Sequence, residues 1–170
     1  MGYVHDTKMS QYIPPTLFHC VTGTWTQAAG AVTGTIAKHV AAADQSTVIN
    51  IPIVIPSNAS AQKGARLESI EVDFEILVAA CDALAAVINK VTRGADTAVA
   101  VVESLAFSYD TGHDTAAERL TLDQHKMTLT LTTPVWLDND VYILVEITAN
   151  QALTTTLDFL AAVANFTLRL

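Results

Sequence analysis

The chain has 170 residues, of which 51% are hydrophobic and 15% are charged, and its formal net charge is −8. A chain of this length forms one domain with a hydrophobic core of its own. Because this acidic chain has no basic stripe to neutralise phosphates, we exclude nucleic acid as a partner. The charged fraction lies well below the usual share of about 25%. It indicates either a surface covered by neighbouring subunits or a neutral surface rich in Thr and Ser.

The charge is unevenly distributed along the chain. Residues 1–66 contain two acidic and four basic residues, a net charge of +2. Residues 67–170 contain 15 acidic and five basic residues, a net charge of −10. The basic first third of one copy would therefore complement the acidic remainder of another, which favours self-association.

The two cysteines, Cys20 and Cys81, each lie in an apolar run, and neither belongs to a CxxC pair. This pattern predicts buried free thiols rather than a zinc site, with a disulfide between the two as the alternative. The first ten residues lack the basic start and apolar stretch of a signal peptide. The longest apolar runs are interrupted by Asp82, Asn89 and Asp158, so we predict no membrane-spanning segment and no membrane partner.

Residues 1–16 follow neither the helical nor the strand period. Two consecutive prolines within them favour an extended backbone and exclude a helix. The segment is either a frayed terminus or an arm laid across a neighbouring subunit, and its apolar and aromatic side chains favour the arm. We predict an extended N-terminal arm over residues 1–16 and a single sandwich domain over residues 17–170. The residues assigned to the assembly arm are Tyr3, Tyr12, Ile13, Pro14 and Pro15.

Short runs separated by turn formers open the domain. Strands are predicted over residues 17–22, 34–42 and 46–55, with a glycine-punctuated loop around Trp25 between the first two. Because Pro52 has no N–H to donate, the third strand is predicted to lie at an edge or to carry a bulge.

The strongest strand signal covers residues 66–78, RLESIEVDFEILV. Hydrophobic and acidic residues alternate strictly, which predicts a strand with one buried and one solvated face. About 13 residues at about 3.3 Å each span roughly 40 Å, the height of a sandwich. One face carries Ile70, Val72, Phe74, Ile76 and Val78, and the first four are predicted to share the core with Leu129, Leu131, Ile143, Val145 and Val163.

A long polar interval, residues 109–124, separates the remaining strands. Thr115 and Glu118 match a capping box, which predicts a short helix near residues 115–122. Strands without a helical period between them predict an all-β antiparallel sandwich or jelly roll of about eight strands, with one short helix in a long loop. The remaining strands are predicted over residues 84–92, 97–108, 126–133, 141–148 and 158–170, with a turn over residues 134–140.

Carboxylates and imidazoles crowd into residues 109–125. These groups are ligands for divalent metals, but their spacing matches neither an EF-hand loop nor an HExxH helix. We therefore favour a solvated acidic loop, keep a metal site as the alternative and predict no cofactor. The candidate ligands are Asp110, His113, Asp114, Glu118, Asp123 and His125.

Other candidate groups have structural explanations that we favour. Glu71, Asp73 and Glu75 would serve as paired carboxylates in a glycosidase, but a solvated strand face explains them more simply. Residues 138–140, Asp-Asn-Asp, suit a hairpin turn better than a calcium site.

The aromatic residues beside turns also have two interpretations. Trp25 and Trp136 would stack on a sugar in a carbohydrate-binding sandwich, whereas packing over a sheet end is the commoner role. His19, in the run LFHCV, is predicted to be a core histidine. Since no nucleophile elbow, phosphate-binding loop or dinucleotide fingerprint occurs, we predict that the protein is not an enzyme.

The sequence resembles small virion proteins of tailed phages, namely jelly-roll capsid, decoration (cement) and head-associated proteins. The shared features are an extended Pro-containing start, about eight strands, a long loop before the last three, and the closing rhythm TLTLTTPVWLDNDVYILVEIT at residues 128–148. The resemblance implies a non-enzymatic structural subunit located in the virion. It carries no family residue over to this chain.

Scarce charge, the N-terminal arm and the uneven charge distribution together predict a homo-oligomer, with a trimer favoured. Its other partners would be virion or shell proteins. Two alternatives stay open: a carbohydrate- or ligand-binding module, and a cellular shell or filament subunit.

Overall fold

The protein is a sandwich of two antiparallel sheets, seen in a computed structural model that describes residues 6–29, 33–54, 65–94, 99–137 and 140–169. This confirms the predicted all-β antiparallel sandwich, although the described residues form twelve strands where about eight were predicted, because several predicted loops and turns contain short strands. Among the described residues, no helix is long and apolar enough to cross a membrane.

The described strands are β1 (Asp6–Ile13), β2 (His19–Thr22), β3 (Trp25–Ala29), β4 (Thr33–Val40), β5 (Gln45–Ile53), β6 (Ala65–Leu77), β7 (Cys81–Thr92), β8 (Val101–Leu105), β9 (Phe107–Tyr109), β10 (Gln124–Leu137), β11 (Val141–Gln151) and β12 (Thr156–Arg169). The first sheet has seven strands in the order β3-β4-β12-β6-β10-β9, with β1 also paired to β12, and the second has five in the order β2-β5-β11-β7-β8. A 3-10 helix covers Pro15–Leu17, and a single-turn helix, α1, covers Ala116–Arg119.

Strand β6 lies at the centre of the seven-stranded sheet, between β12 and β10. Its hydrophobic side chains point into the core, and Ile70, Val72 and Phe74 have no exposed surface. The predicted strand and buried face are therefore confirmed. Val78 departs from the pattern, because its φ of 72° ends the strand and leaves the side chain 72% exposed.

Strand β12 pairs along its whole length with β6, and its other side is shared by two strands. Residues 156–159 pair with β4, and residues 162–169 pair with β1. Register shifts interrupt its pairing with β6, so the inward face after the first shift carries Ala162 and Ala164. The placement of Val163 in the core was wrong, since this side chain is half-buried beside Tyr12 on the outer face.

The described part of the predicted N-terminal arm is a strand of the chain's own sheet. Asp6–Ile13 pairs with β12, Ile13 and Pro15 are buried, and Pro14 is extended and half-buried. Residues 6–16 therefore belong to the sandwich, because β1 is hydrogen-bonded to β12 of the same chain and the apolar residues Ile13 and Pro15 are buried against it. Tyr3 lies outside the described residues. Contact of this segment with a neighbouring subunit stays a prediction.

Two prolines are accommodated inside strands. Pro52 lies in β5 beyond the last residue paired with β2, so the strand is locally an edge there, as its missing N–H requires. Pro134 lies within β10, where the pairing with β6 shifts between Thr130 and Val135. The predicted turn over residues 134–140 was therefore wrong up to Leu137, because a register shift absorbs the proline without ending the strand.

Other element boundaries differ from the predictions. The glycine-punctuated loop around Trp25 contains strand β3. Residues 97 and 98 of the strand predicted over residues 97–108 lie outside the described residues, and the described part contains two strands, which join different sheets on either side of Ala106. Leu17 belongs to the 3-10 helix rather than to a strand.

Gly23 precedes β3 at a φ of +90°, a conformation that L-residues rarely adopt. An added Cβ would lie 2.8 Å from Thr47 Cγ2 and 3.0 Å from His39 Nε2. We expect Gly23→Ala to lower the free energy of unfolding by about 1–3 kcal/mol through backbone strain and this clash. Urea denaturation would measure it. Gly112→Ala is the control, because its Cβ meets only Asp110 Oδ1 at 3.3 Å; equal losses in both variants would contradict the expectation.

Candidate functional site

The polar interval between β9 and β10 folds back over one end of the sandwich through the single turn of α1. Thr115 caps this helix: its hydroxyl accepts from Glu118 N at 3.4 Å, and the Glu118 carboxylate accepts from Thr115 N at 3.0 Å. This reciprocal pair confirms the predicted capping box.

Arg119 anchors the interval from inside, a role that no pattern in the sequence predicted. Its guanidinium is buried and donates to the carbonyls of Leu84 at 3.1 Å, His113 at 2.5 Å and Asp114 at 3.2 Å. The guanidinium carbon also lies 4.2 Å from the centre of the Tyr109 ring. A buried arginine of this kind is indistinguishable from a solvated one by spacing alone.

Three of the candidate ligands come together in a hydrogen-bonded chain. His113 Nδ1 lies 2.8 Å from Asp110 Oδ1, and His113 Nε2 lies 3.2 Å from His125 Nδ1. Burial alone would raise the pKa of Asp110, but hydrogen bonds from Thr128 N, from His113 and from Gly112 N together hold it below its ordinary value. Asp110 is therefore an ionised carboxylate.

The other acidic candidates lie apart from the hydrogen-bonded series of Asp110, His113 and His125. Asp114 and Asp123 are exposed, and Asp123 Oδ1 accepts from Gln124 N at 2.8 Å. A hydrogen bond and like charge from Glu118 raise the pKa of Asp114. Across the part of the chain that the structure describes, no group of three or more His, Cys, Asp or Glu side chains is arranged to hold a metal ion.

The carboxylates of β6 line the outer face of the seven-stranded sheet. Glu71 Oε2 lies 2.6 Å from Lys126 Nζ, and Glu71 Oε1 accepts from Asn165 at 3.0 Å. The bond with Lys126 is the main cause that lowers the pKa of Glu71, whereas burial raises the pKa of Asp73. Cross-strand partners on an open sheet face thus hold these groups, as the predicted strand face implies.

The aromatic candidates divide into one packed and one exposed tryptophan. Trp25 Nε1 donates to Thr22 O at 2.9 Å, and its ring packs 5.8 Å from that of Phe159. Trp136 is 40% exposed, with the Arg66 guanidinium 5.6 Å from its ring centre. His19 is exposed on β2, so its prediction as a core histidine was wrong.

Both cysteines are free thiols, as predicted, but only Cys81 is buried as predicted, whereas Cys20 is half-buried. Cys20 on β2 and Cys81 on β7 are separated by β5 and β11, roughly 14 Å at about 4.8 Å per strand. This separation excludes a disulfide. Burial raises the pKa of Cys81 to about 11, so this thiol is unreactive at neutral pH.

Strand β8 forms an open edge of the five-stranded sheet and is exposed on both faces for most of its length. Val102 is 62% exposed, Val101 63%, and Val99 just before the strand 88%. A pocket of about 270 Å³ lies beside this edge, between residues 103–106 and residues 132–135. Sequence reasoning predicted the strand but not its exposure.

No family model matches the chain, and no curated protein matches its sequence. Among solved structures, the chain is similar to a structure that was reported for carbohydrate-binding modules from the β-sandwich superfamily. Its description concerns the structural basis for their promiscuous specificity. The TM-score is 0.41 and the identity 12%, over 93% of this chain and 55% of that chain. The chain thus spans about half the length of that protein.

Proposed function

We propose that this protein is a non-catalytic structural subunit that assembles with other copies of itself. The observation that supports this most is the β8 edge, where three exposed valines accompany a row of backbone groups that no other strand of the described residues pairs with. Such edges pair readily with other chains, and soluble monomers usually blunt them with charges, especially lysines. The sequence of β8, VVESL, contains one charged residue and no lysine.

The charge that β8 does carry is already engaged within the chain. Glu103 Oε2 lies 3.4 Å from Lys90 Nζ on β7. The β8 edge is therefore an apolar strip whose one charged side chain is already paired. Burying this edge against a second copy would leave no new unpaired charge. The pocket at the end of β8 gives an incoming strand a recess for one side chain.

We propose a trimer as the assembly. A cyclic trimer joins two different surfaces of each copy. The second edge in this proposal is β1, whose outer side chains include Tyr12, 62% exposed. This strand belongs to the basic first third of the chain and would face the acidic remainder of the next copy.

The setting we propose is a virion, as a capsid decoration or head-associated protein, with other virion or shell proteins as partners. Its support is the strand rhythm of residues 128–148 together with the two-sheet fold. A cellular shell or filament subunit would share the same assembly chemistry.

Assembly is tested by replacing one valine of the β8 edge with lysine. Light scattering after size exclusion should give wild type about three times the 18.1 kDa chain mass. Val102→Lys should elute as a single chain with an unchanged melting temperature, because it places an unpaired charge in the interface. Val54→Lys is the matched control, because Val54 is also 62% exposed but lies at the end of β5. Wild type that stays a single chain at high micromolar concentration would show the proposal to be wrong.

Deleting residues 1–15 would be a poor test of assembly. The deletion removes β1 and uncovers residues 162–169 of β12, so a loss of assembly would also follow from a damaged fold. Single lysine substitutions on exposed edges keep the sandwich intact and report on association alone.

A carbohydrate-binding module is the second candidate, favoured by the exposure of Trp136 on the outer face of the seven-stranded sheet. Arg66 lies against this ring, and Asn165 and Glu71 supply hydrogen-bonding groups on the same face. Saturable quenching of tryptophan fluorescence by an oligosaccharide, lost in Trp136→Ala, in a protein that elutes as a single chain would favour this candidate over the assembly.

A further inference from the structure

The outer face of the five-stranded sheet is nearly free of charge. Its side chains alternate with the buried residues of β5, β7 and β11 and therefore point away from the core. Among the described residues that the strand register places on this face, Glu146 is the only Asp, Glu, Lys or Arg, and His19 lies on its β2 side. The main apolar side chains of the face are Val48, Pro52, Val87, Val91, Tyr142 and Leu144.

The outer face of the seven-stranded sheet has the opposite character. Ion pairs lie on it, with Lys126 Nζ 2.6 Å from Glu71 Oε2 and Lys38 Nζ 3.5 Å from Asp158 Oδ2. An antiparallel sheet with one face in water carries polar residues on that face. The seven-stranded sheet follows this rule, whereas the outer face of the five-stranded sheet has the composition of a covered surface.

Three apolar residues form a ridge on the β8 side of this face. Val91 pairs with Tyr142 on one neighbouring strand and with Val102 on the other, so the three side chains point the same way. Val91 is only 5% exposed although it lies outside the main core, because its two partners flank it. Val102 also belongs to the exposed β8 edge, so the apolar face is continuous with the edge proposed for assembly.

The one carboxylate of the face lies beside an amide near its centre. Glu146 of β11 is the direct cross-strand partner of Asn50 of β5, and both side chains are half-buried. The Asn50 Oδ1 atom is buried and has no hydrogen-bond partner among the described residues. An ionised carboxylate has only acceptor atoms, whereas an amide has two N–H donors. A second copy of this pair, turned around, would place an amide donor on each carboxylate.

We propose that this face is an interface with a second copy of the chain, in which the two faces stack about a two-fold axis. The axis lies in the interface, parallel to the strands and between β5 and β11. Asn50 of each copy then meets Glu146 of the other, as an isologous contact requires. The inference rests on the proposed self-assembly, to which it adds a contact that joins two trimers.

The size of the face suits a second copy. In this arrangement β2, β5, β11 and β7 of the two copies overlap, which gives a width of about 19 Å at about 4.8 Å per strand. The nine residues of β5 give a length of about 30 Å, so each copy contributes on the order of 600 Å². The total of roughly 1,200 Å² reaches the lower end of stable specific interfaces, and three such contacts would act together between two trimers.

The charge of the chain also favours this occupant. At a net charge of −8, two copies repel each other unless they meet through surfaces that carry little charge. The outer face of the five-stranded sheet is such a surface. The single carboxylate that stacking buries accepts an N–H from the Asn50 amide of the other copy, and hydrogen bonds to charged groups are among the stronger ones. A second sheet, about 10 Å away, also matches a sheet face in shape.

Sedimentation velocity from low to high micromolar concentration tests the stacking, because size exclusion dilutes the sample. Wild type should pass from about three to about six chain masses. Val87→Glu should stay at about three, because it adds a second carboxylate beside Glu146 in the buried face. Val40→Glu is the matched control and should follow wild type, since Val40 is exposed at the end of β4 in the other sheet. Equal melting temperatures of the diluted proteins verify the fold.

The masses separate this inference from the proposed trimer. Wild type that stays at three chain masses at every concentration would overturn the stacking and leave the trimer intact. Wild type that passes from one to two chain masses, with Val87→Glu fixed at one, would support the stacking and show the trimer to be wrong.

A second pair of variants tests the two-fold contact against a different occupant. Asn50→Asp should abolish stacking, because carboxylates alone would then surround the axis. Glu146→Gln should retain stacking, because amides both donate and accept hydrogen bonds and can pair with each other. Loss of stacking in Glu146→Gln would mean that the carboxylate meets a cation of another surface, and it would overturn the two-fold arrangement. Unchanged stacking in Asn50→Asp would overturn it as well.

Discussion

Phe74→Ala is expected to lower the free energy of unfolding by about 3–5 kcal/mol, through lost hydrophobic transfer energy and the cavity left behind. The Phe74 ring has no exposed surface, lies 6.0 Å from the Phe159 ring, and stacks on His125. It therefore joins the two-sheet core to the loop that follows β9. Reversible denaturation in urea, followed by tryptophan fluorescence, measures the change.

Phe107→Ala provides the comparison for this substitution. Phe107 is a half-buried phenylalanine on the short edge strand β9, packed 5.2 Å from the Tyr109 ring. Less surface returns to water there and the site collapses more easily, so the loss should be clearly smaller. A loss below about 1 kcal/mol for Phe74→Ala would mean that the inward face of β6 has been assigned to the wrong side.

Arg119→Ala is expected to destabilise the protein by about 3–4 kcal/mol. The substitution removes the donors to three backbone carbonyls, of Leu84, His113 and Asp114, and hydrogen bonds from a charged group contribute about 1.5–3 kcal/mol each without adding fully. It also removes the contact with the Tyr109 ring. Hydrogen exchange should show the loop between β9 and β10 opening before the rest of the sandwich.

Two further variants separate the geometry of Arg119 from its charge. Arg119→Lys keeps the charge but has no planar fork to reach several carbonyls, so it should recover little of the loss. Arg93→Ala removes an exposed arginine, 3.4 Å from Asp140, and should change stability by less than about 1 kcal/mol. Equal effects of Arg93→Ala and Arg119→Ala would indicate that net charge, rather than the buried hydrogen bonds, stabilises the loop.

Periodicity predicted the strands whose pairing is regular and failed where pairing shifts. Strand β6 was placed within one residue, because Ile70, Val72, Phe74 and Ile76 alternate with acidic residues, and the single interruption at Glu68 and Ser69 does not end the strand. Val163 was assigned to the wrong face because β12 changes register before it, and a shift of one residue reverses every later side chain. Val78 was misplaced because its left-handed φ is a property of the turn that follows, which alternation does not report.

The candidate site was predictable in composition but not in arrangement. The capping box correctly located α1, since its two residues are local in sequence. The contact between His113 and His125 depends on how α1 folds the loop back onto β10. The burial of Arg119 depends on its hydrogen bond to the Leu84 carbonyl of β7. Both are tertiary contacts, which spacing along the chain does not determine.

The exposed edge was missed for a related reason. The sequence of β8 is apolar and was predicted as a strand, but apolar strands are usually buried. Its exposure follows from strand order, because β8 is last in the five-stranded sheet and the chain leaves it at Ala106 for the other sheet. Strand order is set by pairing among all the strands and is not encoded in the hydrophobicity of any one of them.

The pairing of β1 with β12 makes the order of synthesis matter to this protein. The Lys8 ammonium bonds to the hydroxyl of Thr167, 159 residues later, so the earliest described strand leaves the ribosome long before its partner exists. Until residues 162–169 have been made, β1 must wait as an unpaired strand, and β6 must wait for the same partner on one side. Such distant pairing slows folding and prolongs exposure to wrong neighbours. The nascent chain is therefore expected to depend on chaperones more than a sandwich built from successive hairpins would.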